Sequence, residues 1–471
     1  MHAEVLLHDL WHQAGGDPAA LSHLRFTGST DNLPSQYQVG ALAAATIAAQ
    51  ALAAGELWHA RSGRRQAISV DCRHALAMFR SERFLMIDDL PPADPWSPLS
   101  GYYRATGAGW IQLHTNFPAH RDGVLRILQC AGERAAVAAA IRSWDAAALE
   151  AQLAEANLCA AMIRSPAQWQ AHPQATALAT LPLFDVVRIG DAPPELPGQS
   201  SGITAASANR PLAGVRVLDL SRVIAAPVAA RTLAQHGADV LAVGAAHLPN
   251  IALLVVDTGR GKRSTLLDLR QPAQQATLKA LIQDADVYLQ AYRPATLDGR
   301  GFTPQALCAL RPGLIQVSLC AYGHAGPWAA RRGFDSLVQS ATGIAWQEGQ
   351  AAGLDAPGKL PCQALDHATG YLAALGTMIA LQRRAREGGS WLVRVSLAQT
   401  GRWLQSLGLG IGTSRELSEQ EVAPWRERTA SAFGLISAIA PVEQMAESPA
   451  VLATPPVPLG THAPTWISSG R

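Results

Sequence analysis

From residue 211 onward the chain alternates between apolar, β-rich runs and helical patterns, and that rhythm constrains the fold more than any other feature. Val215–Leu220 (VRVLDL) reads as a buried strand, and Pro227–His236 as the helix after it, with its proline near the first turn. Gly237-Ala238-Asp239 punctuates the step to a second strand, Val240–Val243. A helix over Arg270–Gln283, a strand over Val287–Gln290, a helix over Pro304–Leu310 and a strand over Leu314–Leu319 follow. A long apolar helix then runs from His367 to Arg386, is stopped by Gly388-Gly389, and leads into a strand over Trp391–Leu397. This βαβα order predicts an α/β fold on a doubly wound, mostly parallel sheet.

Residues 1–190 have another texture. They hold six of the twelve tryptophans and long Ala/Leu helical patterns over Gln38–Ala60, Gly132–Ile141 and Asp145–Ala156. Gly101–His114 alternates like a hairpin turning at Gly107-Ala108-Gly109, so a smaller α+β domain is expected on the N-terminal side. Residues 191–210 are rich in Pro, Gly, Ser and Ala without an apolar period and read as a linker. That divides the chain into an N-terminal region (1–190), the linker (191–210), the α/β domain (211–440) and a Pro-rich tail (441–471) wrapping over the surface.

Composition narrows the function. Of 471 residues 48% are hydrophobic and 16% charged, which excludes disorder over the whole chain. With 38 basic and 36 acidic residues there is no broad electrostatic footprint for nucleic acid or a membrane surface. The six cysteines form no CxxC pair, so reduced thiols are expected rather than zinc knuckles or disulfides. The start, MHAEVLLHDLWHQ, lacks the basic flank and apolar run of a signal peptide. No apolar stretch free of Gly or polar residues is long enough to span a bilayer; the Ala-rich run Val39–Leu57 is broken by Gly40, Gln50, Gly55 and Glu56. A soluble, cytoplasmic protein is the expectation.

Several short motifs invite chemistry. Gly198-Gln199-Ser200-Ser201-Gly202 has the spacing of a nucleophile elbow, but no strand precedes it. Gly259–Ser264 (GRGKRS) ends like a phosphate loop, yet Arg263 stands where Walker A needs Ser or Thr, and the first glycine is missing. Its cations suit either a phosphate or a solvated turn. The first βα turn, Leu220–Pro227, lacks GxGxxG, which disfavours a nicotinamide or flavin, while its small residues admit a ligand to the backbone. His8 and His12 are spaced for a metal but have no recognisable third ligand. Asp366 opens the long helix, where an aspartate serves either as an N-cap or as a carboxylate nucleophile at the carboxyl edge of the sheet.

Six blocks, taken in order, resemble the class III CoA-transferases: PLAGVRVLDLSRVIAAP (211–227), HGADVLAV (236–243), DTGRGKRSTLLDLR (257–270), DADVYLQAYRP (284–294), residues 311–343 and LDHATGYLAALG (365–376). The resemblance implies a Rossmann-like domain that binds coenzyme A without GxGxxG. Gly333-Phe334-Asp335 with Gln339 match the G-[YF]-D-x-x-x-Q block, and Asp366 falls on the family's nucleophile. By the same resemblance Val223, Ile224 and Ala225 lie by the pantetheine, Lys262 and Arg263 face the nucleotide phosphates, and Ala291 and Tyr292 replace an Asn-Phe pair; Tyr322 sits in the matching Ser-x-x-x-Tyr segment. The family's small domain normally follows its first Rossmann half. Here residues 101–190 resemble it but come first, so the order is rearranged.

The resemblance implies transfer of CoA from an acyl-CoA donor to a carboxylic acid through an aspartyl anhydride and an aspartyl-CoA thioester. CoA and acyl-CoA are substrates; no permanent cofactor or metal is implied, and a homodimer is. At the reference Asp pKa of ~3.9 the nucleophile is already ionised, aided by the helix N-terminus. Ala341-Thr342-Gly343 are candidates for an oxyanion lining, and His367 for a place in the first helical turn. The alternatives are an acyl-CoA racemase, disfavoured by Phe334 where related racemases carry His, and a non-catalytic CoA-binding protein.

Overall fold

The computed structural model describes residues 3–29, 33–199, 210–410 and 414–467; half of the expected linker, residues 200–209, lies outside them, including Ser200–Gly202 of the GxSxG stretch. Near the N-terminus, strands β1 (Leu24–Thr27) and β2 (Ile68–Asp71) pair in parallel. Between them runs a 24-residue helix, α1 (Val39–Ser62), which ends at Gly63 in the left-handed conformation. Alanine and leucine all round this helix leave it no polar face, so it is buried almost throughout. By length and composition it could cross a membrane, but 89% of its apolar window is buried within the protein. Helix α2 (Cys72–Met78) starts directly after β2, capped by Asp71, whose carboxylate accepts the Arg73 and His74 N–H groups.

The hairpin expected at residues 101–114 is β3 (Gly101–Arg104) and β4 (Trp110–Leu113), joined by β5 (Ala160–Met162) in an antiparallel sheet with its own apolar core. Strand β6 (Phe184–Gly190) then enters the large sheet.

That sheet continues with β7 (Arg216–Leu220), helix α3 (Ala225–Gln235), β8 (Asp239–Gly244), β9 (Arg263–Leu266), β10 (Val287–Gln290) and β11 (Ile315–Cys320). Helices α4 (Asp335–Ala341) and α5 (Ala364–Glu387), strand β12 (Ser390–Ser396) and helix α6 (Leu397–Ser406) follow. The seven strands lie in the order β9-β8-β7-β10-β11-β12-β6; the first six are parallel and β6 is antiparallel. Alternate residues face opposite sides: Val217, Val240 and Val287 join the core under α3 and α5, while Leu218, Leu241 and Tyr288 join a second core on the other face. Chain order reverses between β7 and β10, which opens a crevice at their carboxyl ends.

The packing does not respect the division expected at residues 190 and 441. β6 belongs to the first 190 residues yet forms an edge of the large sheet, and β13 (Glu443–Met445) returns from the tail to pair with β2. Strand pairing joins residues far apart in sequence, and a local composition shift carries no record of it. The tail beyond β13 runs along β9, where the His462 N–H donates to Ser264 O at 2.7 Å and covers the edge.

Candidate active site

The crevice at the carboxyl ends of the parallel strands is a groove of about 520 Å³. Its floor is the β7–α3 turn. Val223 there has φ 76°, a left-handed conformation that is costly for a β-branched residue, and it turns the backbone sharply into α3. Helix α5 can approach that turn because residue 370 is glycine: a Cβ on Gly370 would collide with Ala225 O and lie 2.9 Å from Val228 Cβ. Sequence thus brings the first turn of α5, with Asp366, to the groove floor.

Asp366 is the third residue of α5, not its cap. Gln363 occupies the cap position without a side-chain bond. The capping is done from outside the helix: Asp335, the first residue of α4, accepts the Asp366 N–H at 2.9 Å through Oδ2. Gln339 Nε2 donates to the other Asp335 oxygen, and Gln339 Oε1 accepts Leu360 N–H at 2.9 Å. Among the described residues nothing donates to the Asp366 carboxyl, which is 7% exposed and lines both the groove and a second cavity.

Burial pushes the Asp366 carboxyl well above the usual carboxylate range, and the neighbouring Asp335 and Glu82 carboxyls push it further. Asp335 is raised to about 6, also chiefly by burial. The expectation of a nucleophile ionised at its ordinary pKa is therefore corrected: desolvation and two like charges outweigh the helix N-terminus. His367 is wholly buried behind Asp366, with Nε2 3.2 Å from Glu82 Oε2.

Of the other anticipated residues, Val223, Ile224, Ala225, Ala291 and Tyr292 line the same groove as Asp366. Lys262, Arg263 and Tyr322 do not. Lys262 is buried, its Nζ donating to Asp219 Oδ2 and Pro227 O, both at 2.8 Å. Arg263 makes two 3.0 Å bonds to the Asp239 carboxylate. Each cation is spent on an internal carboxylate, a pairing that sequence proximity could not reveal. Tyr322 is fully buried, edge-on to Trp328 with centroids 5.0 Å apart. Ala341-Thr342-Gly343 lie at the far end of α4, outside both cavities, so the oxyanion lining expected there is also corrected.

The cations that do reach the groove are arginines. Arg222, Arg293, Arg300 and Arg332 line it, and among the described residues none is paired with a carboxylate. Arg332 also places Nη1 3.4 Å from His120 Nε2. The adjacent Arg331-Arg332, directly before Gly333-Phe334-Asp335, was the sequence signal for this cluster. Glu82 and His114 carried no signal, because they reach the site from the N-terminal region.

The second cavity, about 330 Å³, lies on the other side of Asp366. The two share Val223, Ile224, Phe334 and Asp366. Phe334 stacks on His114 with centroids 3.8 Å apart and planes 7° apart, fixing the small antiparallel sheet against the large one. Burial drives the His114 imidazole down to about 3, so it is neutral.

The sequence model of CoA-transferase family III matches residues 212–424, a stretch that contains the groove floor, Asp335 and Asp366. Over that stretch the chain is similar to CoA-transferase family III. Among curated relatives, an acetyl-coenzyme A transferase of Hypoxylon pulicicidum is 35% identical over 202 residues, 42% of this chain and 34% of that one. An acyl-CoA transferase of Gibberella moniliformis is 28% identical over 421 residues, 81% of this chain and 73% of that one. The beta subunit of a succinyl-CoA–L-malate CoA-transferase of Chloroflexus aurantiacus is 32% identical, covering 40% of this chain and 50% of that one. The chain thus spans from a third to about three quarters of these relatives' lengths. The Gibberella alignment covers more than residues 191–471 could supply, so that relative shares part of the N-terminal region in the same order.

Proposed function

We propose that this chain transfers coenzyme A from an acyl-CoA donor to a carboxylic acid, with Asp366 as the nucleophile. One observation carries the reading: a buried carboxyl without a hydrogen-bond donor stands where two cavities meet. In this reading the sheet is the Rossmann-like CoA-binding half. CoA lies along the groove with its pantetheine over Val223–Ala225 and Tyr292, and its phosphates take the carboxylate-free arginines through charge-assisted contacts. Ala291 offers no side-chain amide.

Asp366 attacks the donor thioester carbonyl, the C–S bond breaks, and a mixed anhydride and CoA thiolate result. The thiolate attacks the Asp366 carbonyl, giving an aspartyl-CoA thioester and releasing the donor acid. The acceptor carboxylate then reverses both steps, so acyl and thiolate groups balance throughout. Burial offsets the poor nucleophilicity of a carboxylate and keeps water from the anhydride. Its cost is the raised pKa, so the rate climbs as pH rises through the ionisation of Asp366. Homodimer formation and a cytoplasmic location are part of this reading by likeness to the family.

Incubation with acyl-CoA followed by hydroxylamine or borohydride trapping tests it. An adduct on Asp366 that disappears in Asp366→Asn, with CoA still bound, is the expected result; an adduct unaffected by the substitution refutes the assignment. Exchange of the substrate α-proton without CoA transfer would instead favour a racemase. In that reading His114, stacked on Phe334, supplies the imidazole that position 334 lacks.

A further inference from the structure

The turn that floors the groove is held from behind by a residue outside the groove. Ser221, Arg222 and Val223 line the groove on one side and a third, smaller cavity of about 70 Å³ on the other. The turn is therefore a thin wall with room behind it. It also has a reason to give way. Val223 is β-branched and sits at φ 76°, a conformation that persists only where the surroundings enforce it.

Lys262, the residue before β9, supplies that enforcement. Its Nζ donates to Asp219 Oδ2 and to Pro227 O, both at 2.8 Å, which ties the end of β7 before the turn to the first turn of α3 after it. Asp219 accepts the Ser221 hydroxyl through its other oxygen, so the clamp reaches into the turn itself. Lys262 and Asp219 are 4% and 2% exposed, and salt screens a pair so buried very little. The neighbouring Arg263 differs: it bonds to Asp239 and to Thr465 O, not to the turn.

We infer that Lys262 is a positioning residue for coenzyme A: through Asp219 and Pro227 it holds the Val223 turn in the left-handed form on which the pantetheine lies, and with it Arg222 at the groove. It acts through the turn and touches no substrate. The inference rests on the reading of the groove as the path of CoA, and its test has one arm that needs no CoA.

Removing the lysine alone would leave Asp219 buried without a counterion, so the deciding variant is Lys262→Met with Asp219→Asn, which removes both charges and keeps an acceptor for Ser221. Hydrogen exchange of the full chain without ligand, read by mass spectrometry on peptides spanning 219–230, should quicken about tenfold, while peptides from β10 keep the parent's rate. The dissociation constant for CoA by calorimetry should rise about tenfold, as the competent turn becomes a minor form. Adding Val223→Gly should recover at least about threefold of that loss, because glycine takes positive φ without enforcement. Arg263→Met with Asp239→Asn is the matched control and should leave both readouts within about twofold of the parent. Unchanged exchange, an unchanged CoA constant in the folded double variant, or no recovery with Val223→Gly would each overturn the inference. So would a control pair that shifts both readouts as far. A parent chain that binds no CoA would instead strike the reading of the groove, and exchange alone would then decide whether Lys262 holds the turn.

Discussion

Helices α1 and α5 are built to one plan, and only one of them faces a reaction. Each is 24 residues long, starts after a glutamine cap (Gln38, Gln363) and ends at a glycine (Gly63, Gly388). Each leads into a strand that ends 32 residues after the helix begins, and then into a helix capped by that strand's last residue, Asp71 or Ser396. The flanking strands agree too: β2 lies between parallel β1 and antiparallel β13, as β12 lies between parallel β11 and antiparallel β6. The two helices pack against each other. At the third position one carries Ala41 and the other Asp366; at the seventh, one carries Ala45 and the other Gly370. The helix–strand–helix unit is therefore a packing device, and chemistry enters through two side-chain differences and a partner carboxylate on α4.

The largest effect should come from the third position. Asp366→Asn should lower transfer by at least about a thousandfold, as expected for a nucleophile, while Ala41→Asp yields no adduct at residue 41 when peptides are mapped by mass spectrometry. Next comes the seventh position. Gly370→Ala forces a methyl onto Ala225 O and Val228, and should cost about 1–3 kcal/mol in denaturant unfolding together with a loss of CoA affinity by calorimetry. An unchanged midpoint would mean that α3 can retreat freely.

Asp335→Asn sharpens the comparison through pH. The Asp335 carboxyl raises Asp366, so its removal should move the acid limb of the rate profile to lower pH, even as α5 loses a charged acceptor for its first N–H groups. Asp366 itself should leave a stability signature. Its folded pKa lies above the unfolded value of ~3.9, so the stability of the protonated form is complete below that value and is lost as pH rises through the folded pKa. Asp366→Asn should thus melt like the parent near pH 4 and higher than the parent at pH 8. The smallest effect is that of Ala41→Asp on stability, under about 1 kcal/mol at a helix N-terminus.

Much of the fold was legible beforehand because strands and helices after residue 211 announce themselves by local period: the strand at Val287–Gln290 and the helix at Pro304–Leu310 lie where the pattern puts them. Strands β6 and β13 were not read from the sequence, and their pairing with β12 and β2 crosses the regions drawn there, because pairing partners are non-local. The site divides in the same way. Asp366, Val223–Ala225 and Tyr292 were legible from linear blocks. Lys262 and Arg263 were misassigned because a cation in a motif looks the same whether it meets a ligand or an internal carboxylate such as Asp219 or Asp239.

Sequence by itself determined the alternation that builds the sheet, the helix that begins beside Asp366 and the family blocks around it, since these are local patterns of apolar period, turn residues and spacing. Tertiary structure alone decided the protonation of that carboxyl, the arginines left without carboxylates and the second cavity. Those depend on burial and on which distant groups come within a few ångströms, Glu82 and His114 among them, and the chain's order does not encode such distances locally.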